Sequence, residues 1–292
     1  MVQTWLFLAF GAVILYGLAQ VAQKISLNSI PASGIVFLSL AVGMPVSVAC
    51  LAPYIYSGAI LDYGVVPLAL CIVAGTFGQM GYYLYVEAAQ RGPISVVGSI
   101  TAAYPIMVVF VAVLFLSESP GVVQLSGALI VTCSIIALSY VHGGRTVVSS
   151  YSARCLSLCV LSLLLYGLWA IFTKLALGDI PALLFLGMYT FVIPPTVLVY
   201  NRYKGIRVGK SIPSWSVAFV IAIIASELGN MGFFLEIYAV DQGPASIVFP
   251  LVAASPVVVV LLAYMFLRER LSRAEIILVA AVLAGIVMVS VL

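Results

Sequence analysis

The 292-residue sequence predicts an all-α integral membrane protein: ten transmembrane helices, arranged as two five-helix inverted-topology repeats around a central cavity. Two observations carry that prediction. The chain is 64% hydrophobic and 7% charged, with a mean hydropathy of +1.27, against roughly 25% charged residues in a soluble domain. Its second half also restates its first, motif by motif. A hydrocarbon core about 30 Å thick takes about 20 apolar residues per crossing, so this length accommodates about ten crossings and little else.

Apolar runs bounded by charge, Pro-Gly punctuation and polar clusters place the first five helices over 4–23, 32–56, 64–90, 93–116 and 121–141. The second five fall over 155–173, 182–200, 214–240, 244–267 and 274–292. The first run begins near Met1 without a basic leader and is read as a helix, not a cleaved signal. Gly92-Pro93 and Gly243-Pro244 read as tight turns that start the next helix. Pro105 and Pro256 stand at matching mid-span positions, where the missing N–H kinks a helix and suits a hinge.

The duplication divides the chain into 1–146 and 147–292. ILYGLAQVAQK at 14–24 returns as LLYGLWAIFTK at 164–174, and QMGYY at 79–83 as NMGFF at 230–234. RGPIS at 91–95 matches QGPAS at 242–246, AAYP at 102–105 matches AASP at 253–256, and Glu118 matches Glu269. An odd number of crossings per half makes the second half enter from the opposite side. Of the lysines and arginines, Lys174 alone falls away from the loops of one side. The positive-inside rule makes that side cytoplasmic and puts both termini outside, in a plasma or inner membrane.

The repeated five helices, the lysine ending each first helix, the Gly-Pro link, the proline-centred fourth helix and the glutamate after it together resemble the EamA-type family of the drug/metabolite transporter superfamily. The resemblance covers nearly the whole chain. It implies a secondary transporter with a substrate cavity between the halves, although family members of this size are usually thought to keep their termini in the cytoplasm.

Charged groups at membrane depth are costly and usually functional, and Glu227, mid-span in the eighth helix, is the leading candidate. Helical spacing groups it with Asn230 and Phe234, and groups Thr76, Gln79, Tyr83 and Glu87 on the third helix. A carboxyl group in such a cavity can exchange a proton or pair with a cationic substrate. Glu87 can equally pair with Arg91 four residues on. Glu236 falls on the face opposite Glu227 and reads as an interfacial or helix-contact residue. Tyr16, Tyr82, Tyr104, Trp169 and Tyr189 are candidates to line the cavity, stack on a flat solute or cage an ammonium group. Gln20 shares a polar stripe with Tyr16, and Lys24 and Lys174 read as snorkelling to the headgroups.

The expected solute is a small polar metabolite, an amino acid or a choline-like quaternary ammonium compound, carried by alternating access with proton coupling open. A multidrug or lipid-carrier exporter on the same scaffold is the alternative. An intramembrane enzyme is disfavoured, because no histidine, HExxH or paired aspartates fall inside the spans. Cys50, Cys71, Cys133, Cys155 and Cys159 lack CxxC spacing, and His142, placed in a loop, is the lone histidine, so no metal site is expected. The absence of GxxxxGK[ST] disfavours ATP-driven pumping. The expected partners are the solute and the lipid bilayer, without nucleic acid or cofactor; a monomer is compatible with the sequence.

Overall fold

The computed structural model describes residues 4–92, 94–116, 118, 120–142, 153–205, 216–267 and 272–290. Twelve α-helices occur among them: α1 (Thr4–Leu27), α2 (Ala32–Ser57), α3 (Val65–Arg91), α4 (Ile94–Thr101), α5 (Pro105–Phe115) and α6 (Val122–His142) in the first half. The second half holds α7 (Ala153–Leu177), α8 (Ala182–Tyr203), α9 (Val217–Gln242), α10 (Ala245–Val252), α11 (Ser255–Leu267) and α12 (Arg273–Ser290). One 3-10 turn, Ala59–Tyr63, links α2 to α3. Six helices, α1, α2, α3, α7, α8 and α9, are long and apolar enough to cross a membrane, and shorter apolar helices lie between and after them. The chain is a multi-pass integral membrane protein.

The local chemistry explains where helices begin and end. Pro31 and Pro181, both extended, stand at the N-caps of α2 and α8. Gly58 closes α2 in the left-handed region at φ 73°, and its N–H donates to the Ile55 carbonyl. Two expected helices, 93–116 and 244–267, are instead each divided in two. The reason is the proline inside each: Pro105 has no N–H to offer the Thr101 carbonyl, nor Pro256 the Val252 carbonyl, and the helix breaks there instead of kinking. Short turns at 102–104 and 253–254 bridge the breaks, with Tyr104 N–H donating to Thr101 O and Ala253 N–H to Phe249 O. His142 belongs to α6 and not to a loop.

Helices pair across the halves: α1 lies on α9, α7 on α3, α2 on α8 and α6 on α12. Glycines allow the close approaches. A Cβ at Gly127 would come within 2.7 Å of the Gly285 carbonyl, and one at Gly285 within 2.9 Å of the Gly127 carbonyl, so α6 and α12 meet backbone to backbone. Gly187 of α8 similarly abuts the backbone of Leu51 in α2 at 2.8 Å.

The polar groups at helix ends are spent on backbone. Lys174 Nζ donates to the carbonyls of Val240 at 3.0 Å and Gly243 at 2.8 Å, and Lys24 Nζ donates to Ala89 O at 3.4 Å. The snorkelling expected of both lysines is thus replaced by capping of the C-termini of α9 and α3, where exposed carbonyls and the helix dipole favour a cation. Glu118 accepts from the N–H groups of Ala245 and Ser246 and from the Ser246 hydroxyl at 2.6–2.9 Å, so a carboxylate of the first half caps α10 of the second. Its counterpart Glu269 lies outside the described residues, as do Arg145, Arg207, Lys210, Arg268 and Arg270 of the charge pattern.

Candidate functional site

A cavity of about 310 Å³ lies between the halves, walled by α1, α2, α3 and α4 on one side of the duplication and α7, α8, α9, α10 and α11 on the other. Its size is at the lower end for small-molecule sites. Aromatic rings form much of the wall. Trp169 is at the centre of the group, with ring centroids 6.4 Å from Tyr104, 6.3 Å from Tyr166, 6.2 Å from Phe233 and 5.5 Å from Phe249. Its indole N–H donates to the Tyr189 hydroxyl at 3.1 Å, which fixes the ring's orientation.

Glycines on α3 and α9 decide which face looks inward. A Cβ at Gly78 would fall 2.7 Å from the Trp169 ring, and one at Gly232 3.1 Å from the ring of Tyr16. Gly81, the repeat-related partner of Gly232, receives Tyr166 in the same way at 3.3 Å. Large rings from α1 and α7 therefore seat on glycine notches and point their polar edges into the space between.

Three hydrogen bonds close the polar side of the wall. Tyr16 donates to Glu236 Oε2 at 2.6 Å, Gln20 Nε2 to the Ser255 hydroxyl at 2.9 Å, and Gln23 Nε2 to the Tyr82 hydroxyl at 2.8 Å. Glu236 is 2% exposed and is the carboxyl on the described wall; no lysine or arginine lines the cavity with it. Other polar wall atoms are buried without a protein partner: Gln79 Oε1, Asn230 Nδ2 and the Tyr85 hydroxyl. Gln79 and Asn230 are equivalent positions of the two repeats. Unpaired buried polar atoms are costly, and these three share one hollow.

Of the residues singled out in the sequence, Tyr16, Gln20, Gln79, Tyr82, Tyr104, Trp169, Tyr189, Asn230, Phe234 and Pro256 come together on this wall. Five do not. Glu227 is exposed on α9 and does not line the cavity, because the inward face of that helix runs through Ser226, Gly229, Asn230 and Phe233. Thr76 donates its hydroxyl to Ile72 O of its own helix at 2.7 Å. Tyr83 is buried between helices, sharing a 3.0 Å hydrogen bond with Thr196 of α8. Glu87, 4% exposed, is clamped by Arg91 at 3.1 Å and by Lys204, the C-cap of α8. Pro105 sits buried at the start of α5, behind the wall.

Glu236, which the sequence presents as an interfacial or helix-contact residue on the face opposite Glu227, lines the wall. Asn230 and Phe234, grouped with Glu227, do line the wall, which continues round α9 through Phe233 to Glu236, nine positions and half a revolution from Glu227. The glycines at 229 and 232, repeated at 78 and 81, were the available signal. Gln23, which extends the Tyr16–Gln20 stripe, lines the wall as well, together with Ser47, Thr101, Ser226 and Ser255.

The described residues form a helical membrane bundle with a polar and aromatic chamber at the seam of a duplicated chain. The sequence model of the EamA-like transporter family matches twice, over residues 3–140 and 153–291, and the chain belongs to that family. An uncharacterized protein of Methanocaldococcus jannaschii is 28% identical over 126 residues, which is 43% of this chain and 88% of that protein. A solved crystal structure shares the fold at a TM-score of 0.72 and 18% identity, over 99% of this chain and 96% of the other.

Proposed function

We propose that the chain is a secondary transporter that carries a small cationic or zwitterionic metabolite, an amino acid or a choline-like quaternary ammonium compound, by alternating access between inverted repeats of a plasma or inner membrane. One observation carries this reading: the seam cavity combines a single buried carboxyl, unpartnered amide atoms from equivalent positions of both halves and a cluster of aromatic rings. A positive group gains from ring faces and from the carboxylate once water is excluded. The amides then answer the solute's remaining hydrogen-bonding groups, and the apolar wall answers its carbon skeleton. Two repeats meeting at the site give the mechanism its symmetry, because closing the seam on one side and opening it on the other exchanges their arrangements. The broken helices α4–α5 and α10–α11 supply the bends at Pro105 and Pro256 on which such rocking turns.

Purified protein in liposomes tests the reading through uptake of labelled choline and labelled amino acids, with and without a pH gradient. The expected result is saturable uptake of at least one solute that falls at least about tenfold in Trp169→Ala, as expected when roughly 1.4 kcal/mol of aromatic contact to a cation is removed. Uptake of every solute at the rate of protein-free liposomes would overturn it.

A further inference from the structure

Glu236 is buried on the wall of the seam cavity, and no lysine or arginine lines that cavity with it. The titratable groups that face it are Tyr16 of α1, Tyr104 at the α4–α5 break, Tyr166 of α7 and Tyr189 of α8, all neutral hydroxyls. Cys50 of α2 is on the same wall, and α10 and α11 bring only neutral residues to it. The repeat-related position is Tyr85, whose hydroxyl is buried and unpartnered, so the duplicate half offers no compensating charge either. The ion pairs found among the described residues are on Glu87, away from this wall. An ionised carboxylate buried among rings and amides is strongly disfavoured until something positive neutralises it. A proton on the carboxyl does so, and so does a ligand cation beside it. The two compete, because a carboxyl neutralised by a proton no longer offers the charge that draws the cation.

We propose that Glu236 is a single binding site used in turn by a proton and by the positive group of the solute. The proposal rests on the transporter reading above and names where its coupling occurs. When the cation arrives, the proton leaves the carboxyl oxygen for water, and the Tyr16 hydroxyl, 2.6 Å away, stabilises the carboxylate that results. When the cation departs, a proton returns, and the neutral cavity reorients without a buried charge. One proton therefore moves against one cation. Gln79 and Asn230 bring unpartnered amide atoms to the same wall, which suits a cation that also carries a hydrogen-bonding group such as a hydroxyl or a carboxyl.

Infrared difference spectra of the purified full chain in lipid, recorded as pH is stepped, test the proton half without any ligand. The expected result is a protonated-carboxyl band that titrates in the parent, persists in Glu227→Gln and is absent from Glu236→Gln. Thermal stabilisation by choline, by arginine and by tetraphenylphosphonium tests the cation half. For a ligand that binds, the apparent Kd rises about tenfold for each unit of pH on the acid side, as one proton displaced per cation requires. That slope vanishes in Glu236→Gln, and in Tyr16→Phe, which keeps the ring but not the hydrogen bond, binding needs a higher pH. A band unchanged in Glu236→Gln, a parent affinity indifferent to pH, or no binding of any of the three cations overturns the proposal. Liposome uptake that is equal and pH-independent in parent and Glu236→Gln sinks the shared site and leaves the transporter standing. A carboxyl that titrates as expected in a protein that moves no solute sinks the transporter and leaves the proton site.

Discussion

At the scale of single residues, the cavity depends on side chains seated where a β-carbon would not fit. Trp169 occupies the notch above Gly78, and a methyl group there would meet the indole at 2.7 Å. Gly78→Ala must therefore push the ring out of line with Tyr189, to which it donates at 3.1 Å. Overpacking of this kind costs typically 1–3 kcal/mol. The expected outcome is a lower thermal midpoint in detergent together with weakened solute binding, whereas Gly98→Ala, inside α4 with nothing within 4 Å of the added carbon, leaves the midpoint the same or higher. Equal midpoints for the two variants would refute the notch. At this scale the cavity wall is legible in the sequence only in part. Tyr16, Gln20, Tyr104 and Trp169 were found because polar and aromatic groups in an apolar run are conspicuous. Glu236 was passed over for Glu227 because depth along the chain was weighed above the side of the helix, and the side is set by what packs on the other helices.

At the scale of elements, several helices are terminated by residues distant in sequence. Lys174 satisfies two carbonyls at the end of α9, and Glu118 satisfies the first N–H groups of α10 across the boundary between the halves. Charges placed on helix ends in partly buried settings contribute up to about 2 kcal/mol each. Glu118→Ala removes the acceptor of three hydrogen bonds, while Glu118→Gln keeps one acceptor oxygen and loses the charge. The midpoint of thermal unfolding is expected to fall in the order parent, Gln, Ala, and an alanine variant as stable as the parent would exclude the cap. The sequence displayed Glu118 and Lys174 as recurrent positions, but recurrence could not tell a cap from a headgroup contact. It also indicated continuous helices over 93–116 and 244–267, since a proline inside an apolar run is compatible with a kink as well as a break. Only the turns at 102–104 and 253–254 distinguish the two.

At the scale of the molecule, the halves visible as a duplication in the sequence are not two side-by-side bundles. The main helix pairs, α1 with α9, α3 with α7, α2 with α8 and α6 with α12, each take one member from either half. The backbone approach of Gly127 to Gly285 is likewise made across the boundary, as are the Tyr16–Glu236 and Gln20–Ser255 hydrogen bonds. A half on its own would expose the glycine-lined faces of α3 or α9 and the carboxyl of Glu236 or Glu118 without the partner that satisfies them. The duplication is thus a unit of sequence, while the unit of packing is the interlocked pair. Expressing residues 1–146 and 147–292 as separate polypeptides distinguishes these directly. Co-expressed halves, with an affinity tag on one, are expected to purify together as a monodisperse species, and either half alone to aggregate on extraction. A stable, monodisperse single half would mean that its helices pack mainly among themselves, and the cavity would then be a contact between two finished domains, with its walls fixed before they meet.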